Sequence, residues 1–170
     1  MKALVAVLFS VFYFSFISLS TAQIQKQKDP KTGVEVWVGK IKLSDLEDLQ
    51  GYENLIIEEV FKGKPGHLEQ LKKGLEGVSI KAFIGTWCDD SQYYFPLLIQ
   101  LLRQASFPIE QMEIYGLDKN KNYLDGAAAP NQVKLVPTLI FYRDNKEIGR
   151  FVETPKKGIL EDLLKVVKSN

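Results

Sequence analysis

Cys88 is the only cysteine in 170 residues, and it stands in the run Gly85-Thr86-Trp87-Cys88-Asp89-Asp90-Ser91. One sulfur cannot staple a chain to itself. It is a reactive thiol, half of an intermolecular bond, or a small buried apolar group. The flanking sequence favours the first. Residues 78–84, Val-Ser-Ile-Lys-Ala-Phe-Ile, read as a short, mostly apolar strand that runs directly into the motif, and a helix follows it. A thiol at a strand-to-helix junction meets unsatisfied backbone N–H groups and the positive end of the helix, both of which favour thiolate over thiol. The thiolate is the form that attacks a disulfide sulfur. Ser91 lies one turn on, within reach of donating a hydrogen bond to that sulfur, and Trp87 shields one side of it. Asp89 and Asp90 act in opposite senses. They complement the helix dipole, yet they set negative charge beside a thiolate. Asp89 reads as a plain first-turn residue and Asp90 as a candidate proton acceptor.

The elements around the motif follow from pattern. Residues 23–33 are polar and read as a linker, and 34–38 alternate like a short strand. Ser44 is placed as N-cap of a helix over 45–50, with Glu47 as its capping-box partner. Residues 52–61 and 67–75 have helical spacing, separated by Gly63-Lys64-Pro65-Gly66. After the motif come a long helix to residue 104 containing Pro96, a strand at 112–117, and a polar loop over 119–134. Strands at 138–142 and 147–153 make a hairpin turning at Asp144-Asn145, and an amphipathic helix over 156–167 closes the chain. Alternating β and α units predict an α/β fold, a central mixed sheet flanked by helices on both faces with an N-terminal strand and helix extension.

Strand, Trp87-Cys88-x-x-Ser91, helix and the later Val136-Pro137-Thr138-Leu139 resemble the thioredoxin family, over about residues 78–167. Pro96, eight residues after Cys88, matches the family's kink proline. The stretch Gly-Thr-Trp-Cys-x-Asp-Ser-Gln is similar to exported thioredoxin-like proteins of Bacteroidetes type. The resemblance implies a cis peptide bond before Pro137. It also implies a substrate groove formed by Trp87, Val136, Pro137 and Thr138 beside the sulfur. Two departures bear on mechanism. Ser91 stands at the family's resolving cysteine, so no internal disulfide can store two electrons. Ala82 stands six residues before Cys88, where the family commonly buries an acid. The resemblance therefore implies monothiol exchange at Cys88, with Ser91 assisting and an external thiol resolving the mixed disulfide. The contrasting reading is a redox-inactive module that binds an extended peptide in the same groove.

Other chemistries find little support. Cys88, Asp89 and Asp90 diverge around a helix and lack a second cysteine or paired histidines, so no metal site is expected. No cofactor is expected either. His67 reads as a solvated helix-start residue. Lysines and arginines number 22 against 21 acidic residues, which gives no reason to expect nucleic acid or an anionic membrane as partner. Lys2, the apolar run 3–19 and Ser20-Thr21-Ala22 read as a cleavable export signal. The domain reading is thus signal peptide 1–22, linker and short strand 23–43, and thioredoxin-like domain 44–170. The expected location is periplasmic or secreted, without stable membrane insertion after cleavage. The expected partners are exported thiol- or disulfide-containing proteins or small thiols. Mass spectrometry of exported protein is expected to show a chain beginning at Gln23; retention of the apolar leader would mark it as an anchor.

Overall fold

The computed structural model describes residues 24–55, 63–126 and 129–168. Residues 1–22, expected to be a signal peptide, and Gln23 lie outside the described residues, as does most of the helix expected over 52–61. Within 52–55 the chain makes a 3-10 turn, Glu53–Leu55.

A six-stranded mixed sheet organises the chain, in the order β1-β2-β4-β3-β5-β6. Its centre is β3 (Val78–Ile84), parallel to β4 (Glu113–Gly116) and antiparallel to β5 (Thr138–Arg143). The crossover from β3 to β4 is α3 (Asp89–Gln104), a 16-residue helix that carries Pro96 within it. β6 (Lys146–Val152) pairs with β5 through a two-residue turn. Asp144 and Asn145 both have positive φ there, 51° and 62°, the backbone a tight type I′ hairpin requires. α4 (Ile159–Lys168) follows.

Two further strands widen the sheet beyond β4. β2 (Glu35–Ile41) pairs antiparallel with β4, and β1 (Gln25–Lys28) pairs with β2. The segment containing β1 was expected to be linker because Gln-Lys-Gln-Lys shows no apolar face. Backbone pairing and one contact make it a strand: Lys26 faces Trp37 across the ladder and sets its ammonium 3.6 Å from the indole centroid. The helix expected from Ser44 is also different. α1 (Leu43–Leu46) starts earlier, with Lys42 as N-cap. The carboxylate of Asp45, not Glu47, reaches back to accept the Lys42 N–H at 3.2 Å. α2 (His67–Gly74) lies close to its expected place.

Strand alternation sends Ile80, Ala82, Ile84, Leu139, Phe141 and Phe151 to one face. There they meet Phe95, Leu98 and Ile99 of α3, Leu71 of α2, Leu46 of α1 and the Leu160, Leu163, Leu164 and Val167 stripe of α4. Burying each such side chain stabilises the fold by about 1.5–3 kcal/mol. The opposite face has a smaller core, Phe83, Ile140, Leu117, Val133 and Val136. It is covered by residues 118–126 and 129–137 with their short 3-10 turns, Leu124–Gly126 and Pro130–Gln132.

Gly116 marks the tightest seam of the sheet. A Cβ there would lie 2.2 Å from the backbone oxygen of Trp37. Gly116→Ala is expected to cost about 3 kcal/mol, the upper end for overpacking, because a strand carbonyl cannot step aside. Gly33→Ala, at positive φ but in open space, is expected to cost only about 1 kcal/mol. Urea unfolding of the two variants measures the difference.

Candidate functional site

The site grows from one turn. Gly85 follows the last residue of β3, and its carbonyl accepts the Cys88 N–H at 2.9 Å. Cys88 is the N-cap residue of α3, with extended backbone, and its own carbonyl accepts the Gln92 N–H. Asp89 and Asp90 fill the first helical turn, Asp89 exposed and Asp90 half-buried. The turn is pinned on several sides. Ser91 is completely buried, and its Oγ accepts the Gly85 N–H at 3.2 Å. The Tyr52 hydroxyl donates to the Gly85 carbonyl at 3.3 Å. Gln92 Nε2 donates to the Thr86 carbonyl at 2.8 Å. A side chain on Gly85 would come within 2.8 Å of the Trp87 ring, so only glycine lets the indole lie over this turn.

Thr86 fastens the turn to the added strands. Its buried hydroxyl accepts the Trp37 N–H at 3.0 Å and donates to the Glu35 carbonyl at 2.7 Å. Trp87 is half-buried and donates from Nε1 to the Leu117 carbonyl at the end of β4. Lys121 stands 5.1 Å from its ring centroid.

Cys88 is half-buried, and its Sγ lies 3.4 Å from the Val136 carbonyl, to which the thiol donates. The Val136–Pro137 peptide bond is cis. Beyond it, the Pro137 carbonyl accepts the Glu153 N–H at 2.7 Å, and the Thr138 hydroxyl donates to the Leu135 carbonyl at 2.7 Å. Cys88, Trp87 and Val136 thus belong to one cluster on the loop-covered face of the sheet. Val136, Pro137 and Thr138 are buried, and exposed Leu135 precedes them.

The structure departs from expectation at Ser91. Among the described residues no hydrogen bond joins it to Cys88. The thiol is turned to Val136, and the serine oxygen is taken by Gly85 on the inner side of the turn. Ala82 is fully buried in the helix-covered core, so its position holds no acid. Tyr52 and Thr86 were not anticipated. Tyr52 is fully buried, and burial, with the negative charge of a Cys88 thiolate adding to it, pushes its phenol well above the ordinary tyrosine range. It therefore serves as a neutral donor. Among the described residues no group of three or more metal-ligating side chains gathers, and no described helix is long and apolar enough to cross a membrane.

A β-α-β unit with parallel strands, an antiparallel hairpin, a closing helix and a cis-proline loop facing a helix-capping cysteine define an α/β protein of thioredoxin-like fold. A sequence comparison points the same way. The chain is 24% identical over 99 residues to thioredoxin H-type 1 of Nicotiana tabacum, covering 57% of this chain and 74% of that one. A solved structure of a protein of unknown function from Pseudomonas aeruginosa overlaps with 14% identity and a TM-score of 0.40, covering 75% of this chain and 98% of the other. No family model matches the chain.

Ser91→Ala is expected to strand the buried Gly85 N–H and cost about 1–3 kcal/mol of stability. Chemical denaturation checks this. An unchanged midpoint would mean that water or another group replaces the serine oxygen.

Proposed function

We propose that this protein carries out thiol–disulfide exchange through Cys88 alone. The observation that carries the reading is the placement of a half-buried thiol at the N-cap of α3, 3.4 Å from the carbonyl before the cis proline, with buried Ser91 one turn behind it. The similarity to a plant thioredoxin supports thiol chemistry, and the single sulfur limits its form. The Cys88 thiolate attacks one sulfur of a disulfide. A bond forms between Cys88 and that sulfur, and the other partner leaves as thiolate. An external thiolate then attacks the sulfur held on Cys88, forms a new disulfide with it, and displaces Cys88 as thiolate. No net electrons pass to the protein.

In this reading Trp87, Val136, Pro137 and Thr138 line the face that receives the partner. Asp89 and Asp90 set the local charge, and Ser91 holds the turn that aims the sulfur. In this reading the apolar run 3–19 is an export leader, and the partners are exported thiol- or disulfide-containing proteins or small thiols, in the periplasm or outside the cell.

Two measurements test this. Wild-type protein is expected to form a 1:1 mixed disulfide with oxidised glutathione and to show no insulin-reducing turnover with thioredoxin reductase and NADPH. Sustained turnover would refute the monothiol account. Ser91→Cys is expected to create an internal disulfide with Cys88, visible as a loss of two mass units and of all free thiol. A variant that retains both free thiols after oxidation would show that residue 91 does not face the sulfur across the first turn.

A further inference from the structure

The loop that follows β4 carries a cation whose backbone and side chain are both held in place. Asp118 closes a tight turn over residues 118–122. Its N–H donates to the Asn122 carbonyl at 3.0 Å, and its carbonyl accepts the Lys121 N–H at 2.9 Å. Its carboxylate accepts the N–H groups of Asn120 and Asn122 at 2.8 and 2.7 Å and the Asn122 side-chain amide at 3.1 Å. Within this turn Lys121 has φ 63°, a left-handed backbone that lysine rarely adopts. Its Nζ donates to the Lys119 carbonyl at 3.2 Å and stands 5.1 Å from the Trp87 ring centroid. The residue is half-buried. The turn also lies on the sulfur's side of the sheet. Leu117, just before it, accepts the Trp87 Nε1–H, and Leu117, Tyr123, Trp87, Cys88 and Val136 belong to one cluster. The other charges near the motif are placed differently. Asp89 and Asp90 open α3, and Glu153 follows β6 with its N–H on the Pro137 carbonyl. Lys119 is paired with Asp29, and Lys134 is exposed. Among the described residues no carboxylate pairs with Lys121. An ammonium with one hydrogen bond keeps two N–H donors for a ligand.

We infer that Lys121 sets the specificity of the exchange, selecting disulfides that carry a carboxylate close to the attacked sulfur. The inference rests on the exchange reading above and names its substrate class. The carboxylate takes the spare N–H donors of Lys121 at the Trp87 ring, and this seats the disulfide beside Cys88. The Cys88 thiolate then forms a bond to the near sulfur. The disulfide bond breaks, and the far half leaves with the electron pair as thiolate. Lys121 gives up no proton and makes no covalent bond in this step. A cationic group in the same place meets a fixed ammonium and is disfavoured. The acids of α3 and Glu153 offer such a group no equivalent on the loop side of Trp87.

The test uses full-length protein and three symmetric disulfides: anionic dithiodipropionate, neutral hydroxyethyl disulfide and cationic cystamine. Intact-protein mass spectrometry times the gain of each half on Cys88. Each rate is divided by that of mercaptoethanol with the same disulfide, which removes differences in leaving group. Lys121→Gln is expected to lower the anionic-to-cationic ratio about fivefold, the scale of one partly solvated attraction lost and one repulsion relieved. Lys121→Arg is expected to keep the ratio, as is Lys134→Gln on the same loop. A ratio unmoved by Lys121→Gln, or lowered equally by Lys134→Gln, would overturn the assignment. A second measurement needs no disulfide. The rate of Cys88 alkylation by iodoacetate, relative to iodoacetamide, is expected to fall about twofold in Lys121→Gln, since one charge rather than two is compared. An unchanged ratio there would equally sink Lys121 as the selecting charge. A protein whose alkylation follows Lys121, but which gains mass from none of the three disulfides, would overturn the exchange reading and leave the cation's action on the sulfur standing.

Discussion

The peptide group of Gly85 is where the structure of this protein is decided. Its N–H is given to a buried serine, and its carbonyl takes the Cys88 N–H and the hydroxyl of a buried tyrosine. Three pieces of the chain meet there: the end of β3, the first turn of α3 that follows it, and, from more than 30 residues earlier, the segment after α1. A buried amide left unpaired costs far more than one hydrogen bond contributes, so the three elements are held in register by a need to satisfy one residue. The sulfur of Cys88 inherits its direction from that arrangement. It emerges on the loop-covered side of the sheet, against Val136, while Ser91 points inward.

The two faces of the sheet divide the work accordingly. One is dense with aliphatic and aromatic side chains from all four described α-helices and supplies most of the apolar burial. The other is thin and aromatic. Phe83 stacks on Tyr115 at 5.1 Å, and Tyr123 meets Tyr115 edge-on at 5.8 Å. Burial, with Glu113 beside it, pushes the Tyr115 phenol up to about 12. This side is closed by a loop rather than by an α-helix, and the thiol sits at its rim. A rigid layer thus carries the turn, and a shallower layer leaves room for a partner above the sulfur.

Much of this was legible in the sequence because the signals were local. The apolar run 78–84, the Trp-Cys junction, Pro96 and the Val-Pro-Thr strand start each declare themselves within a few residues. The Asp144-Asn145 turn did so too, since both residues tolerate the left-handed backbone. What escaped depended on partners distant in the chain. β1 is a strand because β2 lies beside it, and four polar residues in a row give no hint of that. Lys42 caps α1 through Asp45, although lysine is not a capping residue by type and Ser44 is. Tyr52 looked like one more apolar position in an amphipathic stretch, and only the fold brings its hydroxyl to Gly85. The serine was read correctly as facing the motif but was assigned the wrong bond. One turn of helix offers two neighbours to an Oγ atom, and spacing does not choose between a sulfur and a backbone amide.

The hydroxyl of Thr86 has a consequence for how such a protein can be taken apart. It holds both a donor and an acceptor of β2 while belonging to the loop that presents the cysteine. Any recombination that cut the chain between β2 and β3 and kept only the later part would inherit a threonine whose two bonds had gone. It would also inherit an edge strand, β4, newly open to pairing with other chains. The amino-terminal hairpin is therefore not an ornament that can be exchanged among relatives. It and the thiol loop form one heritable module, and descent should preserve or lose them together.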